Sequence, residues 1–205
     1  FDLYQTHRWD YDTPIETTIL ALTDAVRRGQ VRHLGASSMW AHQLAESFRV
    51  SQEDDLERFA TMQNHYNLAY REEEREMLPL CQREAVGVIP WSPMARGYLT
   101  RPHEEFMSTK RGETDDYAQE HPYQDNGGRE INERVEELAA DHGVSMAQIA
   151  LAWLLHKDWV DAPIIGASKI EHLEDAVEAL EIDLSESDMA YLEEPYEPVP
   201  VSGHE

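Results

Sequence analysis

The sequence predicts an α/β fold built on a parallel sheet, of the barrel type. Three observations carry that reading. Short apolar runs alternate with stretches of helical periodicity along the chain, which is the rhythm of repeated βα units. The usable polar residues fall just after the strand ends: His7, Ser37 and Ser38, Gln63, Trp91 and Ser92, and Gly166 to Lys169. No Gly-x-Gly-x-x-Gly turn is present, so a doubly wound sheet with its nucleotide switch point lacks its usual signal. A barrel instead assembles one site from several strands on a common rim.

Leu3, Tyr4 and Thr6 suit a first strand, which runs out at His7-Arg8-Trp9-Asp10. Thr13-Pro14-Ile15-Glu16 predicts a helix start, with Thr13 as the cap, Pro14 at the first helical position and Glu16 completing a capping box. Ile15, Ile19, Leu22 and Val26 keep helical spacing, and Gly29 closes the helix. A second strand over 31–36 exits into Ser37-Ser38, and a shorter helix follows over 41–48. A third strand, 59–63, leads into Asn64-His65-Tyr66-Asn67. Glu72, Glu73 and Glu74 favour the start of a helix reaching about residue 84, within which Pro79 predicts a kink or two pieces.

The stretch 86–100 carries the most chemistry. Val86, Val88 and Ile89 read as a buried strand, stopped by Pro90 and Pro93. Trp91, Ser92, Met94 and Gly97 then place an aromatic face, a hydroxyl and a small residue at a strand end, where α/β proteins bind ligands. A buried turn with Trp91 as core fits the local pattern equally well. Next comes a long polar loop over 101–128, of the kind that closes over a cofactor or substrate. Residues 130–142 are helical and stopped by Gly143, and Ser145 with Gln148 forms a second capping box for the next helix. A fifth strand is expected over 162–165, exiting through Gly166-Ala167-Ser168. Ser168 with Glu171 then forms a third capping box, for a helix through Leu173, Ala176, Val177 and Leu180. Residues 184–192 suit one more helix before a Pro-rich tail, 195–205. Five strands cannot close an eight-stranded barrel. The expectation is one domain over 1–205, a partial barrel of five βα units with three N-terminal units absent.

Composition bounds the partners. The 205 residues carry 41 acidic against 17 basic side chains, a formal charge of −24 that would repel a nucleic-acid backbone. This dispersed acidity, with only Lys110, Lys157 and Lys169 as lysines, resembles the surfaces of halophilic proteins. The lone Cys81 excludes an internal disulfide and suits a reducing, cytoplasmic setting. No apolar run approaches the roughly 20 residues that span a bilayer, so no membrane partner is expected. His65, His103, His121 and His142 are scattered, and no metal site is expected.

Five blocks in order resemble the aldo-keto reductases, the closest likeness being to the bacterial and potassium-channel beta-subunit-like branch. They are Leu3-Tyr4-Gln5-Thr6-His7-Arg8-Trp9-Asp10, Gly35-Ala36-Ser37-Ser38, Gln63-Asn64-His65-Tyr66-Asn67, Trp91-Ser92-Pro93-Met94-Ala95-Arg96-Gly97, and Pro163-Ile164-Ile165-Gly166-Ala167-Ser168. The likeness covers essentially the whole chain, from the fourth strand of a TIM (β/α)8 barrel onward. It implies an NADP(H)-dependent oxidoreductase that reduces an aldehyde or ketone to an alcohol by hydride transfer. His7 would polarise the carbonyl of the small substrate, and Trp9 would shape its pocket. Ser37, Ser38 and Gln63 would hold the nicotinamide carboxamide, with Ser38 standing where the family usually has Asn. Trp91 would stack on the ring. Ser92, Pro93, Met94 and Gly97 would line the pyrophosphate path.

Ser168, Lys169 and His172 would clamp the adenosine 2′-phosphate, with Arg111 closing over the same phosphate, Asp175 near the adenine, and Gly166 and Ala167 also binding the cofactor. The family's catalytic Tyr, Lys and Asp match nothing here and belong to the segment expected before Phe1. The competing reading is a non-catalytic nucleotide-sensing or partner-binding module, or an inactive remnant. The sequence carries no signal of oligomeric state.

Overall fold

The computed structural model describes residues 1–109, 113–117 and 123–204. Contacts among the described residues gather into two compact units. The first comprises Phe1–His65, Glu73–Ile89 and Val201–Glu205, the second Tyr66–Glu72 and Pro90–Pro200.

The first unit is an open parallel sheet in the order β1-β2-β3-β4, with β1 at Leu3–Gln5, β2 at His33–Ser37, β3 at Phe59–Gln63 and β4 at Gly87–Val88. Tyr4 pairs with Leu34, Gly35 with Thr61 and Met62 with Val88. Parallel neighbours need crossovers. Helices α1 (Ile15–Arg27), α2 (Ala41–Glu53) and α3 (Met77–Glu84) supply them in turn. Ile19, Leu34, Leu44, Met62, Leu78 and Val88 are buried, as the two periodicities require.

One expectation changes here, and the two-piece reading of 72–84 holds. Helix α1 begins at Ile15 with Pro14 in the cap position and no side-chain capping bond, so the box at Thr13 does not form. The Thr13 side chain bonds instead to Asp10, and with the Asp12 N–H it holds the Asp10 carboxyl below the usual range. The helix expected over 72–84 is in two pieces, a 3-10 turn at Glu72–Glu74 and then α3, whose first turn accepts Pro79.

The second unit is helical: α4 (His103–Met107), α5 (Gly128–His142), α6 (Met146–Leu155), α7 (Ile170–Glu178) and α8 (Glu186–Glu193). Gly143 takes a left-handed backbone, φ +68°, that ends α5, and the Ser145–Gln148 box starts α6 with both bonds in place. Ile149, Ala150, Ala152, Trp153 and Leu154 are buried, which makes α6 the central helix of this unit.

Residues 162–165 are not a strand, contrary to expectation. Ile164 N–H donates to Pro90 O at 2.9 Å. Pro90 and Pro163 have no N–H to offer, so a ladder cannot alternate there. Helix α7 starts at Ile170 with Lys169 in the cap position and no side-chain capping bond, so the Ser168–Glu171 box is also absent. No single described helix is long and apolar enough to cross a membrane.

Candidate functional site

In the first unit the parallel sheet carries four of the expected residues to one end. His7 lies two residues past β1 and is exposed; Ser37 and Gln63 end β2 and β3 as register partners; Ser38 follows Ser37. The Ser37 hydroxyl donates to the Gln63 carbonyl at 2.6 Å, and the Ser38 N–H donates to the same oxygen at 3.2 Å. The Ser37 and Ser38 hydroxyl oxygens are 3.3 Å apart. Ser38 sits at φ +46°, a conformation that Asn adopts more readily than Ser. Holding it there requires the surrounding bonds, and strained residues of this kind collect at ligand sites. Trp9 is half-buried just beyond His7.

In the second unit the strand-exit segment and the start of α7 enclose two cavities of about 480 and 490 Å³. Ser92, Pro93, Met94, Gly97, Gly166, His172 and Asp175 line the first. Gly97, Gly166, Ala167, Ser168 and His172 line the second, so Gly97, Gly166 and His172 border both. Nine of the expected cofactor residues are thereby brought together.

The backbone of this segment is unusual. Ser92, Ala95, Arg96 and Gly97 all have positive φ, at +53°, +48°, +55° and +99°. Two fully buried asparagines hold it. Asn67 Nδ2 donates to Ser92 O at 3.0 Å, and Asn132 Nδ2 donates to Tyr98 O at 2.7 Å and Arg101 O at 3.0 Å. Trp91, which lines neither cavity, meets Tyr117 edge-on, with ring centroids 5.8 Å apart.

Lys169 is exposed and borders neither cavity. Arg111 lies outside the described residues. Sequence reasoning missed Arg96 and Arg101, which border both cavities, and Thr100 and Thr109, which border one each. Arg96 stands inside the Trp91–Gly97 block, but arginine, unlike lysine, is not rare in this chain, so nothing singled it out.

Ser92, Thr100, Thr109, Ser145, Ser168, Arg96, Arg101 and His172 border the cavities, and Asp175 is the one acidic residue among the lining. Such a set suits an anionic ligand. A Cβ built on Gly97 or Gly166 meets nothing within 4 Å, so the walls leave room at both glycines. These residues therefore fit a phosphorylated dinucleotide. Burial pushes the Tyr98 and Tyr123 phenols up, so both remain neutral hydrogen-bonding groups at pH 7. Among the described residues no three His, Cys, Asp or Glu side chains converge as a metal site would need.

A family model, Aldo/keto reductase family, matches residues 1–197. A Schizosaccharomyces pombe protein named "Putative aryl-alcohol dehydrogenase C977.14c" is 48% identical over 202 residues, covering 98% of this chain and 57% of that protein. Versiconal hemiacetal acetate reductase of Aspergillus parasiticus is 41% identical over 199 residues, covering 96% of this chain and 57% of the relative. Among solved structures, the thermostable aldo-keto reductase Tm1743 in complex with the inhibitor epalrestat matches with a TM-score of 0.74 at 31% identity. That match covers 95% of this chain and 59% of the other. The chain spans a little over half the length of these relatives.

Proposed function

The chain belongs to the aldo/keto reductase family, and on that footing we propose that it forms the dinucleotide-holding part of a cytoplasmic NADP(H)-linked oxidoreductase acting on a small carbonyl compound. The observation that carries the reading is the convergence of nine expected cofactor residues, from Ser92 to Asp175, on two cavities that share Gly97, Gly166 and His172. Each half of the proposal follows from chemistry already described.

The nicotinamide ring, when bound, supplies the hydride. The protein's part is to hold and orient. Trp91 offers a flat apolar face for the ring, and the Ser37–Ser38–Gln63 cluster offers neutral donors and acceptors that fix which face points at the substrate. Ser168 and His172 would receive the 2′-phosphate, which would make NADP(H) the preferred form. Lys169, at the cap position of α7, adds long-range attraction rather than a cavity wall.

His7 donates to the carbonyl oxygen and polarises it, with Trp9 against the substrate body. The acid–base Tyr, Lys and Asp implied by the resemblance have no matching motif in this chain. Tyr98 and Tyr123, neutral and buried, do not replace them. Carbonyl reduction is accordingly proposed for the whole protein, since this chain spans 57% of the length of its Schizosaccharomyces pombe relative. Relatives named for an aryl alcohol and for a hemiacetal acetate favour an aromatic or masked aldehyde as substrate.

The test is a titration of NADP+ and NAD+ into the purified chain, followed by tryptophan fluorescence and calorimetry. Saturable binding, at least tenfold tighter for NADP+, is expected, with no carbonyl reduction by this chain alone. Equal affinities remove the 2′-phosphate clamp, and no binding of either removes the proposal.

A further inference from the structure

Arg96 has a role beyond lining the cavities. Its Nε donates to Asp115 Oδ2 at 2.8 Å, and its Nη2 lies 2.7 Å from the same oxygen. The Asp115 side chain is 9% exposed against 33% for Arg96, so the pair is drawn out of water on the acid's side and screened less than a surface pair. The segment that carries Asp115 also carries Tyr117. The Arg96 guanidinium lies 5.3 Å from the Tyr117 ring centroid, and that ring rests against Trp91.

The backbone singles out the same residue. Arg96 is held at φ +55° between two further positive-φ residues, Ala95 and Gly97. An arginine gains nothing intrinsic from that conformation, which is strained for any residue with a side chain, so the fold is placing its side chain. The place is the border of both cavities, among the hydroxyls and cations suited to an anion. There the guanidinium already holds a carboxylate. Carboxylate and phosphate oxygens offer guanidinium the same charge-assisted hydrogen bonds.

We propose that Asp115 is an internal anion that occupies Arg96 in the ligand-free protein, and that a phosphate of the dinucleotide takes its place on binding. The inference rests on the dinucleotide reading above and adds an autoinhibitory contact to it. In a chain of formal charge −24, any incoming phosphate needs a cation, and Asp115 masks the one nearest the strained turn. Binding then exchanges one anion for another, and apparent affinity is lowered by the fraction of molecules in which Arg96 is engaged by Asp115. Tyr117 moves with the same segment, so the Trp91 face becomes available in the same step.

The sign of one mutational effect decides this. Asp115→Asn keeps the side-chain shape and removes the competing charge. It should tighten binding of NADP+ and of inorganic pyrophosphate several-fold, about tenfold if Asp115 holds Arg96 nine-tenths of the time. Arg96→Gln should weaken both, and Asp115→Asn in the Arg96→Gln background should give no gain. Far-UV circular dichroism and a cooperative urea transition establish that each variant folds; Asp115→Ala serves if the asparagine variant does not. If wild type binds and the Asp115 variants bind equally or more weakly, the exchange is wrong and the dinucleotide reading stands. Binding to neither wild type nor variant removes both.

Discussion

The Ser37 hydroxyl and the Gln63 carbonyl oxygen, 2.6 Å apart, tie the exits of two parallel strands together at the rim where the first unit presents its polar residues. The same carbonyl accepts the Ser38 N–H at 3.2 Å, so one oxygen fixes both serines. The strained φ of Ser38 is thereby a consequence of the sheet's own geometry. A site can be built there without a dedicated loop.

Replacing Ser37 by alanine should cost only about 1 kcal/mol, because Gln63 O keeps the Ser38 N–H and is not left bare. Urea unfolding of the variant checks the figure. The Ser37→Ala variant should also lose dinucleotide affinity by more than its stability loss accounts for. If binding is unaltered while the urea midpoint drops, the hydroxyl is structural only.

Gly35 marks a close approach within the same sheet. A Cβ added there would strike Gln5 Oε1 and would lie 2.6 Å from Thr61 Oγ1. Those two side chains are themselves bonded at 3.2 Å, and Gln5 Nε2 donates to Ala36 O. Gly35→Ala should therefore push Gln5 aside, break this polar cross-strand set and destabilise the protein by about 1–3 kcal/mol. In a Gln5→Ala background the penalty should shrink to less than half, which a double-mutant cycle in urea would measure.

Much of this architecture was legible in the residues. Strands and helices follow the two periodicities, and the Ser145–Gln148 box forms as its spacing dictates. The Thr13 box fails through competition: Asp10, three residues upstream, takes the Thr13 side chain. Spacing alone does not reveal such a rival. Residues 162–165 have strand composition but face a proline across the gap, a tertiary fact. The cavity residues were readable as motif blocks. Arg96 was not, since its meaning depends on Asp115, which stands nineteen positions later within a polar loop that has no periodicity of its own.

Glu193 gives the second unit an acid-sensitive joint. Burial raises its carboxyl, but the Lys157 ammonium, the Arg71 guanidinium at 3.1 Å and the Trp153 indole N–H at 2.9 Å outweigh that and hold it below the ordinary range. A carboxyl depressed in the folded state contributes stability above its unfolded value, about 4.3, and that stability is lost as pH falls through the lower folded value. Glu193→Gln should cost about 1–3 kcal/mol at pH 7, since it strands two cations. The difference from wild type should narrow as pH falls below the unfolded value of about 4.3. Parallel urea titrations at pH 7 and pH 3.5 test this, and a gap that persists unchanged in acid would contradict the linkage.

Salt should raise the stability of this chain, because two opposing effects are unequal. Added salt weakens exposed ion pairs, such as Arg28 with Asp24, Arg49 with Glu46 and Glu53, and Arg129 with Glu104 and Glu133. Exposed pairs of this kind contribute little to stability, so the loss is small. The same salt screens repulsion among 41 acidic side chains opposed by only 17 basic ones. As the Debye length shrinks from about 10 Å at 0.1 M to about 3 Å at 1 M, repulsion between neighbouring carboxylates largely disappears. The excess charge of 24 outweighs a handful of weak pairs, so Tm should climb by several degrees between 0.1 and 1 M potassium chloride. Chloride is the appropriate anion, because sulfate would stabilise any protein by exclusion from its surface. A Tm that stays level or falls over this range would mean that the acidic surface is already neutralised locally by its arginines.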